Sequence, residues 1–257
     1  MRPRYVFVGG LHRSGTSLVA RSLARHRDVS GITHAPVPEQ EGVYLQGAIP
    51  HTARHGIPGA FAEDPAQHLT EESRFNTAEV AARLSAEWAP WFAPSAPWRI
   101  EKSPVNLLRS RLYQQLFPAS QFVFVIRHPV ACCRATAKWS LRSEAELLAH
   151  WGRAHRLLLD DLPYLHNAIV LRYEDFCAAP DQMSAQLARF LDLAPRDFAR
   201  TDEEVLDRNA GYLSMGGAPL PDVARAFGYT ETGQGPLPPE MQPRHMLARI
   251  RTALSPD

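Results

Sequence analysis

The stretch Tyr5–Ala20, YVFVGGLHRSGTSLVA, decides how the rest of the chain is read. Tyr5–Val8 is a short run of β-forming residues closed by Gly9-Gly10, the pattern of a buried strand feeding a loop. Gly10 and Gly15 bracket four residues, and the hydroxyl pair Thr16-Ser17 follows. From Thr16 onward, Leu18, Val19, Ser22 and Leu23 recur at helical spacing with no Gly or Pro between them. Strand, glycine loop and helix in that order make a phosphate cradle, because loop N–H groups and the positive helix end converge on an anion. A nucleotide kinase carries Lys directly after the second glycine; here Thr16 stands in that place and Arg13 supplies charge from inside the loop.

Outward from this unit, strands and helices alternate. Trp98–Glu101 reads as a second core strand, and Pro104 opens a helix that Pro118 stops. Gln121–Ile126, QFVFVI, is the strongest strand in the chain; it ends at Arg127-His128-Pro129, and a helix runs on to about Trp139. Glu144–Leu159 and Asp181–Leu191 read as helices, with a strand at Ala168–Arg172 between them, and Thr70–Trp88 as another helix. From His34 to Pro65, prolines and glycines break every periodic pattern, and irregular segments of that length are commonly functional or mobile. The expectation is one α/β domain over residues 1–257. Its core is about 4–192, with a mostly parallel sheet of about five strands flanked by helices, and an irregular or helical extension at 193–257.

Composition sets the outer limits. Apolar residues are 45% and charged residues 21%, as in an ordinary globular chain, and a net charge of +1 argues against broad nucleic-acid binding. Three cysteines (Cys132, Cys133, Cys177) fit a reducing compartment, and the location expected is cytoplasmic. No apolar run approaches the roughly 18 residues of a membrane span. His51 and His55 stand at helical ligand spacing, but in a Pro/Gly-rich stretch without a third ligand, so no metal site is expected.

Magnesium-dependent phosphoryl transfer uses the loop Lys and an acidic metal ligand at a strand end. The strand ending at Ile126 is followed instead by Arg127. Two cationic anchors at two strand ends fit a nucleotide with two separate anionic ends. Four segments then resemble the sulfotransferases that use 3′-phosphoadenosine-5′-phosphosulfate (PAPS) and release PAP. Gly9–Ser17 is similar to the 5′-phosphosulfate loop, and Phe122–Pro129 to the 3′-phosphate segment. Glu101–Pro104, EKSP, resembles a segment of the heparan and tyrosyl-protein branches, and Leu171–Phe176, LRYEDF, a strand end seen in many members. The tail after about Asp192 matches nothing in the family.

The resemblance implies roles residue by residue. Arg13 would meet the sulfate end, and His12, Ser14, Gly15, Thr16 and Ser17 would line the 5′-phosphate. Arg127 would pair with the 3′-phosphate in a guanidinium fork, with Tyr173 near the nucleotide. The usual serine eight residues beyond that arginine is Ala135 here, with Thr136 or Lys138 as substitutes. The base of the closer, Glu-type branches falls in HAPVPEQEGVYLQ, where Glu41 fits best and Glu39 and His34 are the other candidates. Lys102 would stabilise charge on the leaving PAP. The acceptor is a hydroxyl compound of unassigned class, no nucleic acid is involved, and a homodimer stays open. Two other functions compete: a P-loop kinase acting on a small molecule, and a degenerate nucleotide-binding module, which Ala135 favours. Trp88, Trp91 and Trp98 read as core or loop anchors ahead of a pocket wall.

Overall fold

Val6, Phe7 and Val8 are fully buried because β1 (Arg4–Gly10) has a strand on each side and helices on both faces. The computed structural model describes residues 3–50, 57–195, 198, 205–216, 218–231, 233–238, 241, 243–246 and 249–250. The His51/His55 pair lies outside the described residues. After β1 come α1 (Thr16–Ala24), β2 (Val29–Gly31), α2 (Ala78–Trp88), β3 (Trp98–Lys102) and α3 (Asn106–Leu116). Then follow β4 (Gln121–Ile126), α4 (Pro129–Ala137), α5 (Glu144–Asp161), β5 (Asn167–Arg172), α6 (Tyr173–Ala178) and α7 (Pro180–Phe190). The C-terminal part adds α8 (Ala210–Leu213), the small hairpin β6 (Tyr229–Thr230) and β7 (Gly233–Gln234), and β8 (Arg244–His245).

The main sheet has six strands in the order β2-β3-β1-β4-β5-β8, five of them parallel, with β8 antiparallel to β5 at the edge. Alternation along β1 divides the core. Tyr5 and Phe7 join the larger cluster under α2, α3 and α5, while Val6 and Val8 join Val19, Leu23 and Leu187 under α1 and α7. The parallel registers pair Val8 with Lys102 and Gly10 with Val125, which brings the carboxyl ends of β3, β1 and β4 to one edge. Ligands in open parallel sheets bind at that edge.

Two details differ from expectation, and the irregular span is as expected. β2 has only three residues, too few to show a period, and the sheet has six strands where about five were expected. α2 starts at Ala78 and not at Thr70; the Thr77 hydroxyl accepts from the Val80 N–H and caps it. The irregular span 34–65 contains short 3₁₀ turns, of which Pro38–Gln40 and Gly42–Leu45 cross the carboxyl end of β3. No helix among the described residues is long and apolar enough to cross a membrane.

Candidate active site

The glycine loop forms the floor of a cavity of about 350 Å³. That volume lies within the roughly 300–1,000 Å³ of small-molecule sites. Gly15, just before α1, has φ 102°, a left-handed conformation that glycine adopts without steric cost. A Cβ there would also sit 2.7 Å from the Tyr173 ring. No side chain caps α1 and no acidic residue stands in its first turn, so its first N–H groups remain free for an anion. His12, Arg13, Gly15, Thr16 and Ser17 all line the cavity. Ser14 does not; it is buried beneath the loop, and its hydroxyl lies near where a Cβ of Gly10 would be. Arg13 has φ 66° and stacks on Trp139 with its guanidinium carbon 3.1 Å from the ring centroid. Burial holds His12 near pKa 4, with Lys102 and Arg13 adding to the effect, so its ring is neutral at pH 7.

Arg127 faces the loop from the end of β4. It is 6% exposed and lies over the Tyr173 ring at 4.4 Å. Its Nε donates to Asn209 Oδ1 at 2.7 Å and one terminal nitrogen to the Arg13 carbonyl at 2.9 Å. The other terminal nitrogen, Nη2, has no partner among the described residues. A buried guanidinium whose Nη2 has no partner among the described residues, at a cavity wall, is suited to pair with an anion. The C-terminal part completes this wall. Val205, Leu206 and Arg208 line the cavity, and the Tyr173 hydroxyl donates to the Leu206 carbonyl while accepting from the Arg208 N–H. Asn209 donates in turn to Glu174, whose carboxylate also accepts from the His128 N–H and the Tyr229 hydroxyl. Arg13, Arg21, Arg127 and Arg208 therefore surround the cavity against two carboxylates, Glu39 and Glu41.

Thr136 takes a bracing position. It does not line the cavity, and its hydroxyl donates to the carbonyls of Cys132 and His12. Lys138, the other substitute, does not line the cavity; its Nζ lies 5.0 Å from the centre of the Tyr212 ring, which Arg127 also faces, while Arg208 on the C-terminal strap does line it. The Arg127 partner Asn209 and the wall residues Arg21, Trp139 and Arg208 carry no motif that would have marked them.

The base candidates separate by position. Glu41 is 6% exposed, lines the cavity and accepts from Lys102 Nζ at 3.1 Å. Burial raises its pKa to about 7, against the pull of Lys102 and with help from Glu101 and Glu39. Lys102 Nζ also donates to the Glu39 carbonyl at 2.9 Å, so the ammonium ties down both ends of the turn. Lys102 itself lines an adjoining cavity of about 480 Å³ that shares Ser17, Arg21 and Glu39 with the first. Glu39 is exposed between the two cavities, and His34 lines only the second. His34, Glu39 and Gln40 all have φ between 51° and 58°. Such outliers among non-glycine residues cost on the order of 1–3 kcal/mol each and persist where the surroundings impose them. Trp88 and Trp98 are core residues, and the tryptophan on the cavity is Trp139.

With this geometry in place, the likenesses can be stated. Residues 3–197 match the model of the sulfotransferase family. The chain belongs to the sulfotransferase family. Membership places it among transferases and leaves the kinase reading the weaker one, in keeping with Thr16 and Arg127. A protein-tyrosine sulfotransferase of Drosophila melanogaster is 22% identical over 234 residues, which cover 86% of this chain and 43% of that protein. The chain thus spans less than half the length of this relative. The crystal structure of a sulfotransferase from Alicyclobacillus acidocaldarius has the same fold, with TM-score 0.51 and 17% identity over 84% of this chain and 91% of the other. The sulfotransferase domain from the curacin biosynthetic pathway aligns over 100% of this chain and 99% of its own, at TM-score 0.48 and 17% identity.

Proposed function

We propose that the chain transfers the sulfuryl group of PAPS to a hydroxyl acceptor and releases PAP. The observation that carries the reading is Arg127: a buried guanidinium whose Nη2 is unpartnered among the described residues, facing the glycine loop across a cavity rich in arginine. PAPS, when bound, supplies a sulfuryl group on a phosphate leaving group. The chain supplies the rest. Gly15, Thr16 and Ser17 offer N–H and hydroxyl donors to the 5′-phosphate, and Arg127, supported by Arg208, holds the 3′-phosphate. Ionised Glu41 takes the proton of the acceptor hydroxyl as the acceptor oxygen bonds to sulfur. The sulfur–oxygen bond to the phosphate breaks with its electron pair staying on PAP, where Arg13 and Lys102 stabilise the charge. Three buried, free cysteines support a reducing compartment such as the cytoplasm.

Thermal shift with PAP and with Mg-ATP tests the donor assignment, since a ligand at 100 times its Kd stabilises by about 2.7 kcal/mol. Stabilisation by PAP is expected. Stabilisation by Mg-ATP alone overturns the assignment. Sulfate transfer from labelled PAPS separates an enzyme from a module that only binds.

A further inference from the structure

Glu101 is the most completely buried carboxylate near the cavity, 1% exposed, and the chemistry above does not use it. Every contact to its carboxylate is a donor. Oε1 accepts from the Gly42 N–H at 2.9 Å and from the Ser103 hydroxyl, and Oε2 from the Asn106 amide. The Ser103 hydroxyl is free to donate to Glu101 because it accepts from the Val43 N–H at 3.1 Å. Burial pushes the Glu101 pKa up, while the Ser103 and Asn106 side chains, Lys102 and the Gly42 N–H pull toward the ionised form. Burying an unpaired carboxylate is costly, and a neutral side chain would pack here at lower cost. A carboxylate buried at this position therefore points to a role beyond packing.

Its surroundings show what. Gly42, next to Glu41, is fixed on both sides: its N–H by Glu101 and its carbonyl by Trp88 Nε1 at 2.8 Å. The approach is close enough that a Cβ on Gly42 would lie 2.6 Å from Glu101 Cγ. Lys102, the next residue on β3, holds the Glu39 carbonyl and the Glu41 carboxylate. The charged and titratable groups around Glu41 are Lys102 and Glu101 from β3, Glu39 and Tyr44 from its own segment, His12 and Arg13 from the glycine loop, and Arg127 across the cavity. Lys102 alone would hold Glu41 as a firmly ionised, weakly basic carboxylate. Burial opposes that pull most, and Glu101 and then Glu39 add to the opposition.

We infer that Glu101 is a positioning residue for the base: with Ser103 it clamps the Glu41–Val43 turn onto the end of β3 and tempers the hold of Lys102 on the Glu41 carboxylate. The inference rests on the reading of Glu41 as base. Burial and the neighbouring carboxylates raising Glu41 to about 7 agree with it.

The test uses Glu101→Gln, Ser103→Ala and Glu41→Gln in the full chain. In Glu101→Gln the amide oxygen can still accept the Gly42 N–H while the charge is lost. Carbon-13 NMR of labelled glutamate carboxyls follows the Glu41 titration without any acceptor. PAP release with 4-nitrophenol as surrogate acceptor gives kcat and its pH profile, and calorimetry gives the PAP Kd. In Glu101→Gln the Glu41 midpoint is expected to fall, and the acid limb of kcat/KM to move to lower pH with it. In Ser103→Ala, which unties Val43, kcat is expected to fall by up to about 10²-fold, the cost of misplacing a reacting group by an ångström, with PAP Kd unchanged. An unaltered Glu41 midpoint and limb in Glu101→Gln, with Glu41→Gln inactive, overturns this inference alone. Wild-type turnover in Glu41→Gln overturns the base assignment and this inference with it. If Glu101→Gln does not fold, Ser103→Ala carries the test, and equal losses in kcat and PAP affinity there reduce the cluster to a structural role.

Discussion

Arg127→Ala, assayed by calorimetry with PAP and with AMP, tests the donor site at its most informative point. Removing one side of a buried, hydrogen-bonded charge pair costs about 2–5 kcal/mol, which is roughly 30- to 4,000-fold in Kd at about 1.4 kcal/mol per decade. Two features locate the effect within that range. Arg127 is 6% exposed, so solvent screens little of its interaction and the lower end is too small. Arg208 lines the same cavity and keeps part of the attraction, so the upper end is too large. A loss of about 10²–10³-fold in PAP affinity is expected. The substitution also breaks the bonds to the Arg13 carbonyl and to Asn209, which disturbs the glycine loop and the strap. That indirect damage weakens every nucleotide alike. AMP lacks the 3′-phosphate, so the ratio of PAP to AMP affinity isolates the direct contact. The ratio should collapse in Arg127→Ala and recover only in part in Arg127→Lys, which restores charge without the fork. If both ligands weaken by the same factor, Arg127 braces the loop and does not touch the 3′-phosphate.

Other perturbations reach separate parts of the site. The pH profile of kcat/KM, which reports the free enzyme, should show an acid limb with its midpoint near 7: Glu41 is protonated and inactive below it, ionised above it, and the limb disappears in Glu41→Gln. Gly15→Ala forces a side chain into the left-handed region, costing about 1–2 kcal/mol, and drives a Cβ against Tyr173; lower melting temperature and weaker PAP binding are both expected, and normal values for both would refute the loop geometry. Thr16→Lys recreates a kinase-like loop, yet no magnesium-dependent ATP hydrolysis is expected, because Arg127 occupies the strand end where a metal-binding acid would stand. A phosphate-release assay that detects such hydrolysis would show that the second anchor has been misassigned.

The fold was legible wherever one local signal dominates. The β1–loop–α1 unit and β4 are runs whose burial pattern matches their composition, and they lie where Tyr5–Ala20 and Gln121–Ile126 indicate. β2 was not legible, since three residues cannot display a period. The helical start expected at Thr70 failed for a similar reason: Thr77 offers as good a cap as Thr70, and only tertiary packing chooses between them. In the site, most of the loop motif, Glu41, Arg127 and Tyr173 line one cavity, Ser14, Lys102 and Thr136 lie beside it, and Arg208 and Trp139 reach it with no local trace in the sequence.

This difference bears on how the site works. Residues 205–209 lie beyond the span matched to the family, yet they bind Tyr173 and Arg127 and form one wall of the cavity. The matched core supplies the glycine loop, Arg127, Lys102 and Glu41. The strap supplies Arg208 and the amide that fixes the plane of Arg127. Asn209 can do this because Glu174 takes its NH₂ group, leaving its oxygen toward the guanidinium. Glu174 is held in turn by His128 and Tyr229, one at the end of β4 and the other in the C-terminal hairpin. The orientation of the second anchor is thus set by a buried network joining the core to the extension. Changes in that extension should act on nucleotide affinity through Arg127, while the Glu41 turn, held separately by β3 and Trp88, keeps its geometry.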